Sequence, residues 1–177
     1  HSKLCETLSY EIMRHANAPE PLTRRNAAST FYLLLKNNWD EMGNIARMRV
    51  QSTVAVSRLV GGAKAGQGVA TMLLQNSLRA VGRYSKQRAA AASSEEGEVS
   101  LDAGVQELIS RIFRLCHYSV KIADNIGDPE TTADFYRRIS EDYFDSPDLR
   151  ARWLENLAEF QTNHNKLEEA AQCKLHA

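Results

Sequence analysis

Cysteine, proline, aromatic residues and net charge are all scarce in this 177-residue sequence, and each scarcity excludes something. The three cysteines, Cys5, Cys116 and Cys173, are odd in number and far apart. A disulfide scaffold needs a dense, even set, so the thiols read as reduced and the protein as cytoplasmic. Lys plus Arg number 22 and Asp plus Glu also 22, so no global field draws the chain to nucleic acid or an anionic membrane. The densest apolar run, Phe31 to Leu35, is far short of the ~18 residues of a membrane span. Runs of alternating β-branched residues, the signal for strands, are missing too. The first residue is His1, with neither an initiator Met nor a signal-peptide core behind it, as in a segment excised from a longer chain.

What is present is helical periodicity. Leu4, Leu8 and Ile12 stripe a first helix over about residues 2–16, ended by Pro19 and Pro21. A second is predicted from Leu22 to Asn38 with Thr23 as its cap, and a third from Asp40 to Val60, stopped by Gly61 and Gly62. After GGAKAGQG, a fourth runs over about residues 69–86. The small, polar, acidic stretch at 87–99 has nothing to bury and reads as a mobile loop. The strongest helix follows from Ser100, with Val105, Leu108, Ile109, Ile112, Cys116, Ser119, Ala123 and Ile126 at i, i+3, i+4 spacing. Asp128-Pro129-Glu130 and Ser146-Pro147-Asp148 each set a capping side chain, then Pro at N1, then an acid in the first turn. Asn165 with Glu168 offers a cap for the last helix, which has no stop signal before Ala177. The expected fold is all-α: about eight helices in antiparallel hairpins, stacked as in armadillo or TPR-like helical repeats.

A search for chemistry finds little. GGAKAGQG lacks the Gly-Lys-Ser/Thr and the preceding strand of a phosphate loop, and Thr71 stands where the dinucleotide fingerprint needs its third Gly; a helix connector is the better reading. Cys173 and His176 are i, i+3, and His164 precedes them, but a zinc site needs more ligands and supporting groups. Cys116 and His117 are adjacent, so on a helix they diverge by ~100° and cannot form a nucleophile–base pair. Arg79, Arg83 and Lys86 line one face, with Arg88 beyond, as a solvated row or a dock for an acidic partner or lipid headgroups. Leu149, Trp153, Leu157 and Phe160 form a core stripe opposite Leu167, Ala170 and Ala171. Catalytic, cofactor-binding and metal-ligating residues are all expected to be none, and no cofactor is expected.

The last hairpin nevertheless carries a family likeness. Ser146 to Arg150, Trp153-Leu154, Glu169 to Ala171 and Cys173 with His176 resemble the opening of the second Dock homology region of Dock-family exchange factors. Asn44, Ala46-Arg47, Gln51-Ser52-Thr53 and Leu59-Val60-Gly61 resemble the helical stretch upstream of it in the Dock-C subgroup, and Asp128 to Ser140 resembles the segment between. The resemblance implies a cytoplasmic multidomain parent that exchanges GDP for GTP on Rho-family small GTPases. It assigns residues 1–127 to the helical approach and 128–177 to the start of the first helical lobe. The catalytic lobe has no counterpart here, so the segment is expected to be a non-enzymatic helical support. The GTPase, nucleotide expulsion and membrane contact belong to other regions of the parent, while protein–protein contacts and self-association fit this one. The alternative is a free-standing helical-repeat adaptor that binds a protein partner.

Overall fold

The computed structural model describes residues 2–61, 71–91, 96–125, 127–144 and 146–177, and among these it is built from α-helices without strands. In chain order they are α1 (Ser2–Ala16), α2 (Pro21–Met42), α3 (Ala46–Gly61), α4 (Thr71–Ala91), α5 (Glu96–Asp124), α6 (Pro129–Asp142), α7 (Pro147–Asn163) and α8 (Leu167–His176). The all-α expectation holds. The connector after Gly61 lies outside the described residues.

Several boundaries differ from the periodic reading, each for a local reason. Helix α2 does not stop at Asn38. It continues through Trp39 to Met42 and ends where Gly43 takes the left-handed conformation at φ 67°, its N–H donating to the Trp39 carbonyl at 2.7 Å. A residue without Cβ enters that region at no steric cost. Asn44 then accepts from the Ala46 N–H at 3.0 Å and starts α3. At the other end of α2 the cap is Glu20, not Thr23: its carboxylate accepts from the Leu22 N–H at 2.9 Å and from the Thr23 N–H. Of the stretch read as a loop at 87–99, residues 87–91 continue α4 and 96–99 open α5. Ala89, Ala90 and Ala91 have the best intrinsic helix propensity, and that outweighs their lack of anything to bury.

The two Pro-led start signals also part company. Asp128 caps α6, accepting from Thr131 N at 3.2 Å and Thr131 Oγ1 at 2.7 Å, whereas Ser146 makes no side-chain bond to α7. Asn165 does not cap α8 either; it turns the chain at φ 60°, and Lys166 occupies the cap position without a side-chain capping bond. Asn is among the few side chains that tolerate this conformation, so its role is the turn.

The described residues divide into two compact units, one reaching from α1 to residue 114 within α5, the other from residue 115 to the end of α8. In unit 1, α1 packs on α2, α3 and α4, and α2 packs on α4. The seam of α1 is Ser9, Ile12, Met13 and Ala16, while Leu4 and Leu8 are exposed. The predicted stripe holds only at Ile12: the buried face turns to Ser9, Met13 and Ala16 instead of Leu4 and Leu8. Polar bonds tie the same helices together. Ser77 Oγ donates to the Ala16 carbonyl at 2.7 Å, Leu74 N to Asn17 Oδ1 at 3.1 Å, and Gln106 Nε2 to the Gly82 carbonyl at 3.1 Å. A Cβ at Gly82 would lie 3.1 Å from Ile109 Cδ1, so glycine there lets α4 and α5 close on each other. The first half of α5 buries Leu101, Val105, Leu108, Ile109 and Ile112, as its period predicts.

Unit 2 is a run of sequential antiparallel pairs, α6 on α7 and α7 on α8. Leu149, Trp153, Leu154, Leu157 and Ala158 of α7 are buried between Ile139 and Tyr143 on one side and Ala170 on the other. Phe160 is only half-buried. On α8 the facing stripe reduces to Ala170, since Leu167, Ala171 and Leu175 point outward. A ten-residue helix against one neighbour can bury only one narrow line of side chains.

Candidate functional site

Unit 2 holds a groove of about 520 Å³ walled by α6 and α8 and floored by α7. Arg150, Leu154, Leu157 and Gln161 form the floor. Their spacing of 4, 3 and 4 keeps them on one helical face. Polar atoms are left over here: Gln161 Oε1 and Arg150 Nε are buried without a protein partner. The α6 wall is knitted by charge. Asp134 accepts from Arg137 at 2.8 Å and Arg138 at 2.7 Å, and Arg137 also donates to Glu141 at 2.8 Å. Those hydrogen bonds hold the Asp134 carboxyl below its ordinary range. Glu130 and Lys166 pair, joining the first turn of α6 to the start of α8.

Chemistry-bearing residues are dispersed. Cys173 and His176 line the α8 wall of the groove, and burial raises the Cys173 thiol above its ordinary range, the wrong direction for a thiolate nucleophile or ligand. His164 is drawn away: its ring stacks on Phe160 with centroids 4.3 Å apart and bonds to the Phe160 carbonyl at 2.9 Å. Cys116 is buried and its thiol is pushed up to about 12 by desolvation, while neighbouring His117 is exposed. Among the described residues no group of three or more His, Cys, Asp or Glu is placed to hold a metal ion, and no helix is long and apolar enough to cross a membrane. The arrangement offers surfaces for packing and docking, built on rigid helices.

Trp153 is the centre of the hairpin stack. It is 5% exposed, and its ring lies 6.1 Å from that of Tyr136, which in turn lies 5.6 Å from Phe160. Sequence periodicity located Trp153 but not Tyr136, which joins it from α6, nor the buried Gln161. A glutamine on an apolar face carries no periodic signal of its own.

On this geometry the relatives can be placed. Residues 134–177, most of α6 with all of α7 and α8, match the family model described as DHR-2, Lobe A. Over 173 residues, 98% of the chain, it is 31% identical to dedicator of cytokinesis protein 7 of Mus musculus. It is 32% identical to dedicator of cytokinesis protein 8 of Homo sapiens over the same length. Against dedicator of cytokinesis protein 6 of Mus musculus it is 31% identical over 176 residues. The chain spans 8% of the length of each of these relatives. No solved structure matches it. The chain belongs to the Dock family, as the residues from Asp128 onward implied.

Proposed function

We propose that this chain is a non-catalytic helical support within a Dock-like guanine nucleotide exchange factor for Rho-family small GTPases. The observation that carries the proposal is the DHR-2, Lobe A match on α6–α8, a segment whose buried groups serve packing. In this reading residues 1–127 lead into the exchange region and 128–177 begin its first lobe, in a Dock-C-like parent that works in the cytoplasm. The GTPase is engaged by other regions of the parent. Accelerated GDP release requires groups placed at the nucleotide and its Mg²⁺, and the paired carboxylates and arginines of α6 are already committed to one another.

The test is release of fluorescent GDP from Rho-family GTPases. The expected rate with the chain equals that in buffer, and acceleration by the isolated chain would overturn the proposal. A complementary measurement uses an exchange-active stretch of the parent containing this segment. There Trp153→Ala is expected to lower stability and expression while leaving the specific activity of the folded fraction unchanged.

A further inference from the structure

Helix α4 carries Arg79, Arg83, Lys86 and Arg88 and no acid, and like the acid-free α3 it concentrates cations in a chain with equal numbers of acids and bases. Arg79, Arg83 and Lys86, spaced 4 and 3, share a face about 10 Å long at 1.5 Å rise per residue. Two shallow grooves flank this row within unit 1. One, of about 340 Å³, lies towards α5, with Arg79, Arg83 and Lys86 at its rim and Ile109 and Phe113 below. The other, of about 260 Å³, lies towards α2, where Arg24 and Arg25 face Arg83 across Ala28, Ala80 and Tyr84. Neither groove has a carboxylate in its lining. Asp102 accepts from Gln106 of the first groove at 3.0 Å.

Several cations elsewhere pair with a nearby acid. Arg14 pairs with Glu11, Lys36 with Asp40, Arg58 with Glu6, Arg111 with Glu107, and Arg137 and Arg138 with Asp134. On this face two of the cations are positioned by neutral groups. Arg79 is fixed by Asn76 Oδ1 at 2.8 Å and lies over the Phe113 ring at 5.1 Å. Arg24 is tied to the Ala18 and Pro19 carbonyls and also feels the Glu20 carboxylate.

We infer that this face is a docking surface for an acidic amphipathic helix of a protein partner. Carboxylates at i, i+4 and i+7 would meet Arg79, Arg83 and Lys86, and an apolar side chain between them would enter the groove over Ile109, beside the Phe113 ring that Arg79 covers. The concave form favours a helix over a lipid surface. Membrane-lying helices present large apolar side chains beside their cations. On α4 the exposed large hydrophobic residue is Met72, two turns before Arg79. Base stacking is disfavoured as well: Tyr84 is engaged edge-on by Tyr32 at 6.2 Å, and Phe113 is covered by Arg79.

The experiment is a fluorescence anisotropy titration with the whole chain. The probe is a fluorescein-labelled, alanine-based helical peptide with glutamate at i, i+4 and i+7 and leucine between. The expected result is saturable binding, weakened about tenfold or more by Arg83→Glu with Lys86→Glu and by added salt. Lys174→Glu, an exposed charge change on α8, leaves it unchanged. Circular dichroism confirms that the exposed-site variants remain folded. The inference fails if the peptide does not bind or if the Arg83/Lys86 variant binds equally well. It fails equally if a peptide with the same glutamates in one consecutive run binds as tightly, or if vesicles of phosphatidylserine and phosphatidylcholine capture the chain in preference to the peptide.

Discussion

Unit 1 and unit 2 hold their helices together by different means. In unit 1 α1 packs on its neighbour α2, but contacts also skip along the chain, α1 to α3 and α2 to α4. Beside large side chains such as Met13, Phe31 and Leu35 many small ones are buried: Ser9, Ala16, Ala28, Ser52, Ala55, Ser77 and Gly82. Hydrogen bonds such as Ser77 to Ala16 cross between helices 61 residues apart. In unit 2 each helix packs on the next in sequence, and large rings fill the space: Tyr118 against Phe135 at 6.1 Å, and Tyr136 against both Trp153 and Phe160. The first arrangement depends on how closely backbones approach, the second on a few bulky side chains at sequential interfaces. Close approach tolerates no added volume, and an aromatic interface tolerates no removed volume.

That contrast can be attacked from either side. The largest effect is expected at Trp153, where replacement by alanine empties a buried aromatic site and should cost about 3–5 kcal/mol. Chemical denaturation measures the loss, and amide exchange should place it in α6–α8; a change below about 1 kcal/mol would remove Trp153 from the core. The converse change in unit 1 is Ala55→Leu. Ala55 is 0% exposed, and extra methylenes in a filled seam should cost about 1–3 kcal/mol. If this variant were as stable as the parent sequence, the seam would have room that the structure does not show.

Smaller effects separate the two Pro-led helix starts of unit 2. Asp128→Ala removes bonds to Thr131 N and Oγ1, so the denaturation midpoint should fall, whereas Ser146→Ala removes no cap bond and should leave it in place. Those two bonds depress the Asp128 carboxyl below its ordinary value of 3.8. A group depressed in the folded state stabilises it above the unfolded-state value and loses that contribution as pH falls through the folded-state value. The difference between the Asp128→Ala variant and the parent sequence should therefore be present near neutrality and shrink below about pH 4. Equal midpoints for the two alanine variants at neutral pH would mean that Ser146 caps after all. The smallest effect is expected at Arg58, which bonds to Glu6 at 2.8 Å and lies 4.8 Å over the Tyr10 ring on the surface of unit 1. Arg58→Ala should change stability by about 1 kcal/mol or less, because exposed ion pairs are screened and entropically costly. A larger loss in a thermal melt would show the α1–α3 seam to depend on charge.

Legibility followed the same division. The unit 2 hairpins were readable because Asp128-Pro129, Ser146-Pro147 and the Trp153 stripe are local signals between neighbours in sequence. Even there, periodicity overstated the α8 stripe, since Leu167 and Leu175 are 66% and 84% exposed. In unit 1 the helices were readable but not their inward faces. Leu4 and Leu8 outrank Ser9 and Ala16 in hydrophobicity, yet Ser9 and Ala16 join Ile12 and Met13 in the seam. The basic row of α4 was visible as a sequence pattern. That it borders two carboxylate-free grooves, with Arg24 and Arg25 joining from α2, was not, because no spacing rule connects residues 25 and 83.

The amino-acid sequence by itself determined the helical class, the ends marked by proline and glycine, and family membership, since these rest on backbone stereochemistry and on residues a few positions apart. Gly43 belongs with them: its left-handed stop was written in the chain at a place where Trp39 and Asp40 drew attention elsewhere. Which stripe of each helix turns inward, which charges find partners and which stay free were decided only by the tertiary structure. Burial depends on the shape and chemistry of an opposing surface. For α1 and α4 that surface is supplied by segments tens of residues away, and no periodicity within one helix contains it.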